Sequence, residues 1–186
     1  MTKIVNRFSA NAALDPPTIV RAALLLVERD GLQALTMRRL GSELGVEAMS
    51  IYHHIPNKAA LLELLAAAAC RVPERTPGDA DGDAVAELDR AARRLHGSLD
   101  ARRELVPLVI ASPPREQLDS IFADARRLLA DAGFDPQAVA WITDSISDYV
   151  LGSAALEGSD SNARSKATFE TGLRLLLLGV RAELGE

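Results

Sequence analysis

Residues 36–58 read TMRRLGSELGVEAMSIYHHIPNK, and no other stretch limits the fold so tightly. A helix-starting threonine, a glycine and a proline all fall within it, so it holds only two short helices and a tight turn. Thr36 supplies an N-cap hydroxyl. The segment MRRLGSEL then places Met37, Leu40 and Leu44 on one face. Gly45 can adopt the left-handed backbone that a sharp turn demands. The next helix runs from about Ala48 to His54 and is ended by Pro56. Two short helices joined in this way make a helix-turn-helix. Val46 and Ile51 serve as apolar anchors against Leu35 and Leu40, which turns Ala48, Met49, Tyr52 and His53 outward. An apolar and aromatic surface with no core behind it calls for a partner.

The remainder of the chain is also helical in pattern. Sustained period-two alternation is absent from the sequence, so the expected fold class is all-α. Asp15 opens a first helix with Pro16 and Pro17 in its first turn. Its buried face is Ile19, Ala22, Ala23, Leu26 and Val27, and Gly31 stops it. Asn57 caps a helix carrying Leu61, Leu62, Leu64 and Leu65. A proline- and glycine-containing linker follows, and further helices are expected at about 83–101, 104–111, 115–132, 136–157 and 163–185. Apolar residues make up 48% of the chain, enough for a substantial core. The apolar runs are too short to span a bilayer, no signal peptide is read, and Cys70 is the only cysteine. A cytoplasmic protein with no membrane association is therefore expected.

The net charge of −5 conceals an asymmetry. Residues 1–75 hold nine basic and seven acidic side chains, whereas residues 76–186 hold twelve and nineteen. A mildly basic head on an acidic body leaves nucleic acid open as a partner.

The stretch around Tyr52 admits several chemistries. His53 and His54 are neighbours, about 100° apart around a helix axis, so they diverge rather than converge on a metal. Catalysis would need an orienting carboxylate and a pocket. Tyr52 could instead pack on the following helix, with His54 as a cap. Elsewhere, DADGDA at 79–84 hints at a calcium loop, but its glycine is at the wrong offset and Arg90 stands where a bidentate Glu is needed. Cys70 reads as inert packing. The pairs Arg102–Arg103 and Arg126–Arg127 read as solvated faces, and Lys3 and Arg7 as part of a flexible arm. No cofactor and no metal are expected.

Residues 19–65 resemble the DNA-binding head of the tetracycline-repressor (TetR) family of bacterial transcription regulators. The resemblance is carried by AALLLVERDGLQALTMRRLGSELGV and SIYHHIPNKAALLELL. Gly41 departs from it, because the family usually has alanine there. The resemblance implies that the third helix enters the major groove. By position it gives phosphate contacts to Thr36, Ser50, Tyr52, His54 and Lys58, and base contacts to Arg38, Ala48, Met49 and His53. Arg38 is the best candidate for reading a guanine edge. The implied organisation is an arm at 1–14, a helix-turn-helix domain at 15–60, and a ligand-binding and dimerisation domain at 61–186.

In the body, the Pro113–Pro114 interruption suggests imperfect helix packing, and such places hold ligands. The expected lining includes Leu105, Val109, Phe122, Trp141 and Tyr149, with His96 as a polar anchor. The final helix has a broad apolar stripe of Phe169, Leu173, Leu176, Leu177 and Val180, with Gly152 as a smooth patch on the preceding helix. A stripe this wide needs outside cover, and in the resembled family the last two helices of each chain form the dimer interface. The expected function is a homodimeric repressor that binds a palindromic double-stranded DNA operator and is released by a small, apolar effector. Two alternatives stay open. One is a constitutive DNA binder without an effector. The other, from a different class, is a helical enzyme or protein-interaction adaptor, although the sequence offers no nucleophile–base pair or phosphate loop.

Overall fold

The computed structural model describes residues 14–73, 82–156 and 163–185. Lys3 and Arg7 lie outside the described residues, as do Asp79, Ala80 and Asp81 of the DADGDA segment. Ten α-helices and two short 3-10 turns make up the regular structure, with no strand among the described residues. The chain divides into two compact units, a head up to Ala68 and a body from Ala69. The division falls after residue 68, whereas the sequence suggested a boundary at residue 60.

In the head, α1 spans Pro16–Asp30, and the Asp15 carboxylate accepts from the Thr18 N–H at 2.8 Å. Its buried face is the expected one, and Gly31 ends it at a φ of 82°, donating to the Val27 carbonyl at 2.8 Å. A 3-10 turn at Leu32–Ala34 leads to α2, Met37–Leu44, capped by the Thr36 hydroxyl accepting from the Arg39 N–H. Gly45 takes the left-handed conformation, with φ 71° and ψ 26°.

Helix α3 is shorter than expected. It ends at Tyr52, and His53 and His54 lie in the turn that follows. The His54 N–H and the Ile55 N–H both return to the Ile51 carbonyl, at 3.0 and 2.9 Å, and this closing turn runs into Pro56, which disfavours helical backbone at the residue before it. Ile51 and Ile55 are both buried and hold the turn against the head. Val46, the expected anchor, is only half-buried. Helix α4, Lys58–Ala69, starts under Asn57, whose side chain accepts from the Ala60 N–H at 2.9 Å.

In the body, α5 spans Ala84–Asp100 and packs against α8, Ala123–Asp131, α9, Pro136–Leu156, and α10, Ala163–Leu184. Between them run a 3-10 turn at Arg103–Leu105, α6, Val106–Ala111, and α7, Arg115–Ile121. The single helix expected over 115–132 is broken at Phe122, which has φ −97° and ψ 6°. Ile121 and Phe122 are adjacent and both buried. A continuous helix would point them about 100° apart, and the break lets both face the core.

Candidate nucleic-acid interface

The head places the candidate contact residues through three local devices. The Thr36 cap fixes the start of α2 and leaves Arg38 in its exposed first turn. The Gly45 turn sets α3 across α2. The Asn57 cap starts α4 with Lys58 at its exposed first position. Ile51 is fully buried, so the opposite face of α3 is committed to solvent. Met49 is 65% exposed and Tyr52 39%, and His53 and His54 are exposed beside them. Ala48 and Ser50 are half-buried at the edges of this face. Large side chains this exposed on a helix so well anchored form a presented surface rather than a packing accident.

Close approach of α3 to α2 depends on Gly41. A Cβ built there would lie 2.8 Å from the Val46 carbonyl oxygen and 3.3 Å from the Ala48 nitrogen. The Gly41 carbonyl in turn accepts from the Val46 N–H at 2.9 Å.

Charge in the head is partitioned. Arg29 pairs with Glu43 at 3.0 Å and with Asp30 at 2.9 Å, and Arg39 pairs with Asp30 at 2.5 Å. Hydrogen bonding from Arg29 holds the Asp30 carboxyl below its ordinary range. This network braces α1 against α2. Arg38 and Lys58 form no ion pair among the described residues, so their charges remain available to a polyanion. Arg21 on α1 is likewise exposed and forms no ion pair among the described residues, where it donates to the Thr18 hydroxyl at 3.4 Å. Sequence reasoning did not single it out, and no motif signals it.

In the body, the candidate ligand residues separate into groups. Leu105, Val109 and Phe122 are buried. His96 of α5 stacks on Phe169 of α10 with ring centroids 3.7 Å apart, and Tyr149 of α9 stacks on the same Phe169 ring at 5.9 Å. The Tyr149 hydroxyl lies 3.1 Å from the Thr168 carbonyl and 3.0 Å from that of Phe169. These three rings join three helices. Trp141 is a correction: it is 65% exposed and points away from the core. The buried face of α9 runs through Val139, Thr143, Ile146 and Val150, and a residue two positions from Val139 sits about 200° around the axis.

The α10 stripe is also corrected in part. Phe169, Leu173, Leu177 and Val180 are already buried within the single chain, on a helix that packs on α5 and α9. Gly152 is half-buried on α9. Of the expected dimer set, Leu176 alone is exposed, and it is flanked by exposed Leu175 and Leu178. The spacing that seemed to widen one stripe marks two faces, an inner one and an outer one.

The Cys70 thiol is buried, which pushes its pKa up to about 11 and leaves it unreactive. No described helix is long and apolar enough to cross a membrane.

Comparison with known proteins gives consistent relationships. The family model for "Bacterial regulatory proteins, tetR family" matches residues 19–65. The tetracycline repressor protein class C of Escherichia coli is 34% identical over 154 residues, covering 81% of this chain and 68% of that protein. A TetR variant from Acinetobacter baumannii AYE, solved in complex with minocycline, superposes with a TM-score of 0.77 at 29% identity, over 92% of this chain and 99% of that one. BioQ solved with its double-stranded DNA operator gives a TM-score of 0.74 at 29% identity, over 91% and 99%.

Proposed function

This chain belongs to the tetR family of bacterial regulatory proteins, and from that premise we propose that it binds a palindromic DNA operator as a homodimer, represses transcription there, and is released by a small molecule held in its body. The observation that carries the reading is the outward face of α3. Ile51 fixes the helix from below while Met49, Tyr52 and His53 stand exposed above. That face suits the major groove, where Met49 and Ala48 can pack on thymine methyl groups and Arg38 can bond a guanine edge. Thr36, Ser50, Tyr52, His54 and Lys58 are assigned to phosphates, which set register rather than sequence.

The exposed Leu175, Leu176 and Leu178 on α10 are assigned to the dimer contact, because a dimer is needed to place two recognition helices on successive half-sites. The buried lining of the body, with Leu105, Val109 and Phe122, favours an effector with a largely apolar frame. The protein acts in the cytoplasm and catalyses no reaction in this reading. Its relatives support both halves of it: BioQ was solved on its operator, and the Acinetobacter TetR variant with minocycline.

The test is enrichment of operator fragments from random duplex DNA with purified protein, followed by fluorescence anisotropy on the enriched site. A palindromic consensus bound by a dimer supports the reading. Failure to enrich any sequence above background at low salt would sink it.

A further inference from the structure

The body carries an arginine-lined cleft that the assignments above do not use. It is an open cavity of about 580 Å³ between the segment Arg71–Pro73 that follows α4 and one face of α5. Arg71, Arg93, Arg94 and Arg102 line it, together with Ser98, Val72, Pro73 and Ala101, and no carboxylate does. An all-cationic lining in a body that is acidic as a whole calls for a reason.

The four arginines are not equivalent. Arg93 is satisfied, with Asp89 at 2.7 Å and Glu170 at 2.5 Å, and these bonds hold it firmly protonated. Arg94 reaches Glu87 only at 3.4 Å, and its Nε is buried with no hydrogen-bond partner among the described residues. Arg102 donates to the Ser98 hydroxyl at 3.0 Å and meets no carboxylate among the described residues. Arg71 is exposed and makes no ion pair there. Three guanidinium groups are thus left without a full counter-charge around one cavity. A guanidinium presents parallel N–H donors that match a carboxylate in pairs. Val72, Pro73 and Ala101 supply apolar wall beside them. We infer that this cleft binds a small organic acid, its carboxylate held by Arg71, Arg94 and Arg102 and its apolar part laid against Val72, Pro73 and Ala101.

The cleft is also wired to the end of α4. The Ser98 side-chain oxygen lies 2.9 Å from the Ala69 carbonyl and 2.7 Å from the Arg71 carbonyl, while it accepts from Arg102. One hydroxyl proton faces two carbonyls, so Ser98 can bond fully to only one of them at a time. An acid that draws Arg102 toward itself loosens Arg102 from Ser98 and shifts the hold of Ser98 on the last residues of α4. This regulatory part rests on the proposed reading of the chain as an effector-released repressor, whereas binding of the acid does not.

The experiment is isothermal titration of the full chain with benzoate and octanoate, against the neutral benzamide and octanol, and with inorganic phosphate. The expected result is at least tenfold tighter binding of the carboxylates than of their neutral counterparts. Arg71→Gln combined with Arg102→Gln should weaken that binding at least tenfold, and Arg127→Gln on α8 should leave it unchanged. Carboxylates that bind no better than the neutral compounds, or unchanged binding in the double variant, overturn the site. Phosphate binding as tightly as octanoate overturns the organic-acid assignment. A second arm measures octanoate against the protein–operator complex. Release from wild type but not from the double variant supports the link through Ser98, and binding without release overturns that link. If the protein holds no DNA at all, the repressor reading fails, while the titration still decides the site.

Discussion

Gly172 lies in the middle of α10 directly beneath the ring of Tyr149. A Cβ added there would meet the Tyr149 hydroxyl and would lie only 2.6 Å from Cζ and 2.9 Å from Cε2. Gly172→Ala therefore has two opposing effects. Alanine in a helix interior is favoured over glycine by about 1 kcal/mol. Against this, the Tyr149 ring must leave its place. It then loses its hydroxyl contact with the Thr168 and Phe169 carbonyls, about 1 kcal/mol, and its stacking on Phe169, about 0.5–1.5 kcal/mol. Moving a ring wedged between α9 and α10 adds roughly 1 kcal/mol of packing strain. The net expectation is a loss of about 2 kcal/mol. With Tyr149 replaced by alanine the clash is gone, and the same Gly172→Ala change should stabilise by about 1 kcal/mol. The assay is urea unfolding of wild type, both single variants and the double variant at one fixed protein concentration, since dimer stability depends on concentration. The coupling between the sites should reach roughly 3 kcal/mol. The reasoning is refuted if Gly172→Ala has the same sign and size in both backgrounds.

Three further outcomes are expected. Lys58→Ala should weaken binding to all DNA sequences and flatten the salt dependence by about one unit of slope, whereas Arg38→Ala should cost about 1–3 kcal/mol at the cognate site and relax preference there; anisotropy titrations at several salt concentrations separate the two. Leu176→Asp should give monomers with poor operator affinity while leaving the helical content intact, because Leu176 is outside the chain's own core; light scattering with circular dichroism checks both halves. The Asp15 carboxyl is held below the ordinary carboxylate range by hydrogen bonding with Thr18, so its capping contribution is full above that range and is lost as pH falls through the lowered folded value; the melting-temperature gap between wild type and Asp15→Ala should be full at neutral pH and close in acid.

The head was legible because its signals are local. Asp15, Thr36, Gly45 and Asn57 each act on backbone within four residues, so their types alone fix where helices start and turn. Periodicity then separated Ile51 from Met49 and Tyr52. The errors arose where distant packing decides. Helix α3 gives way to a turn at His53, two residues ahead of the expected end, and Ile55 beyond it is buried with Ile51. Phe122 breaks a helix whose composition is otherwise continuous. Trp141 was placed in a cavity because aromatic residues are usually buried, yet its own helix turns it outward. On α10, spacing identified every leucine as apolar but could not tell which face meets α5 and α9 and which remains uncovered. Arg71, Ser98 and Arg102 stand up to 31 positions apart in the sequence, and only the fold brings them to one cleft.

A net charge of −5 says little about DNA binding when the charges are sorted by partner. In the head, the acidic side chains Asp30 and Glu43 are spent on Arg29 and Arg39, where they join α1 to α2. Those four charges cancel locally and contribute structure instead of field. What remains beside α3 is the exposed Glu47 that precedes it and the two cations Arg38 and Lys58, which make no ion pair among the described residues. The bracing network therefore does two things at once. It fixes α2, and with it the turn that carries α3, and it removes the Asp30 and Glu43 carboxylates from competition with phosphate for the two exposed cations. Neutralising Asp30 would free Arg39 as an additional cation while Arg29 keeps Glu43, yet the same change would loosen the helix that positions Arg38. Non-specific attraction would rise and sequence preference would fall, because the first depends on charge and the second on geometry.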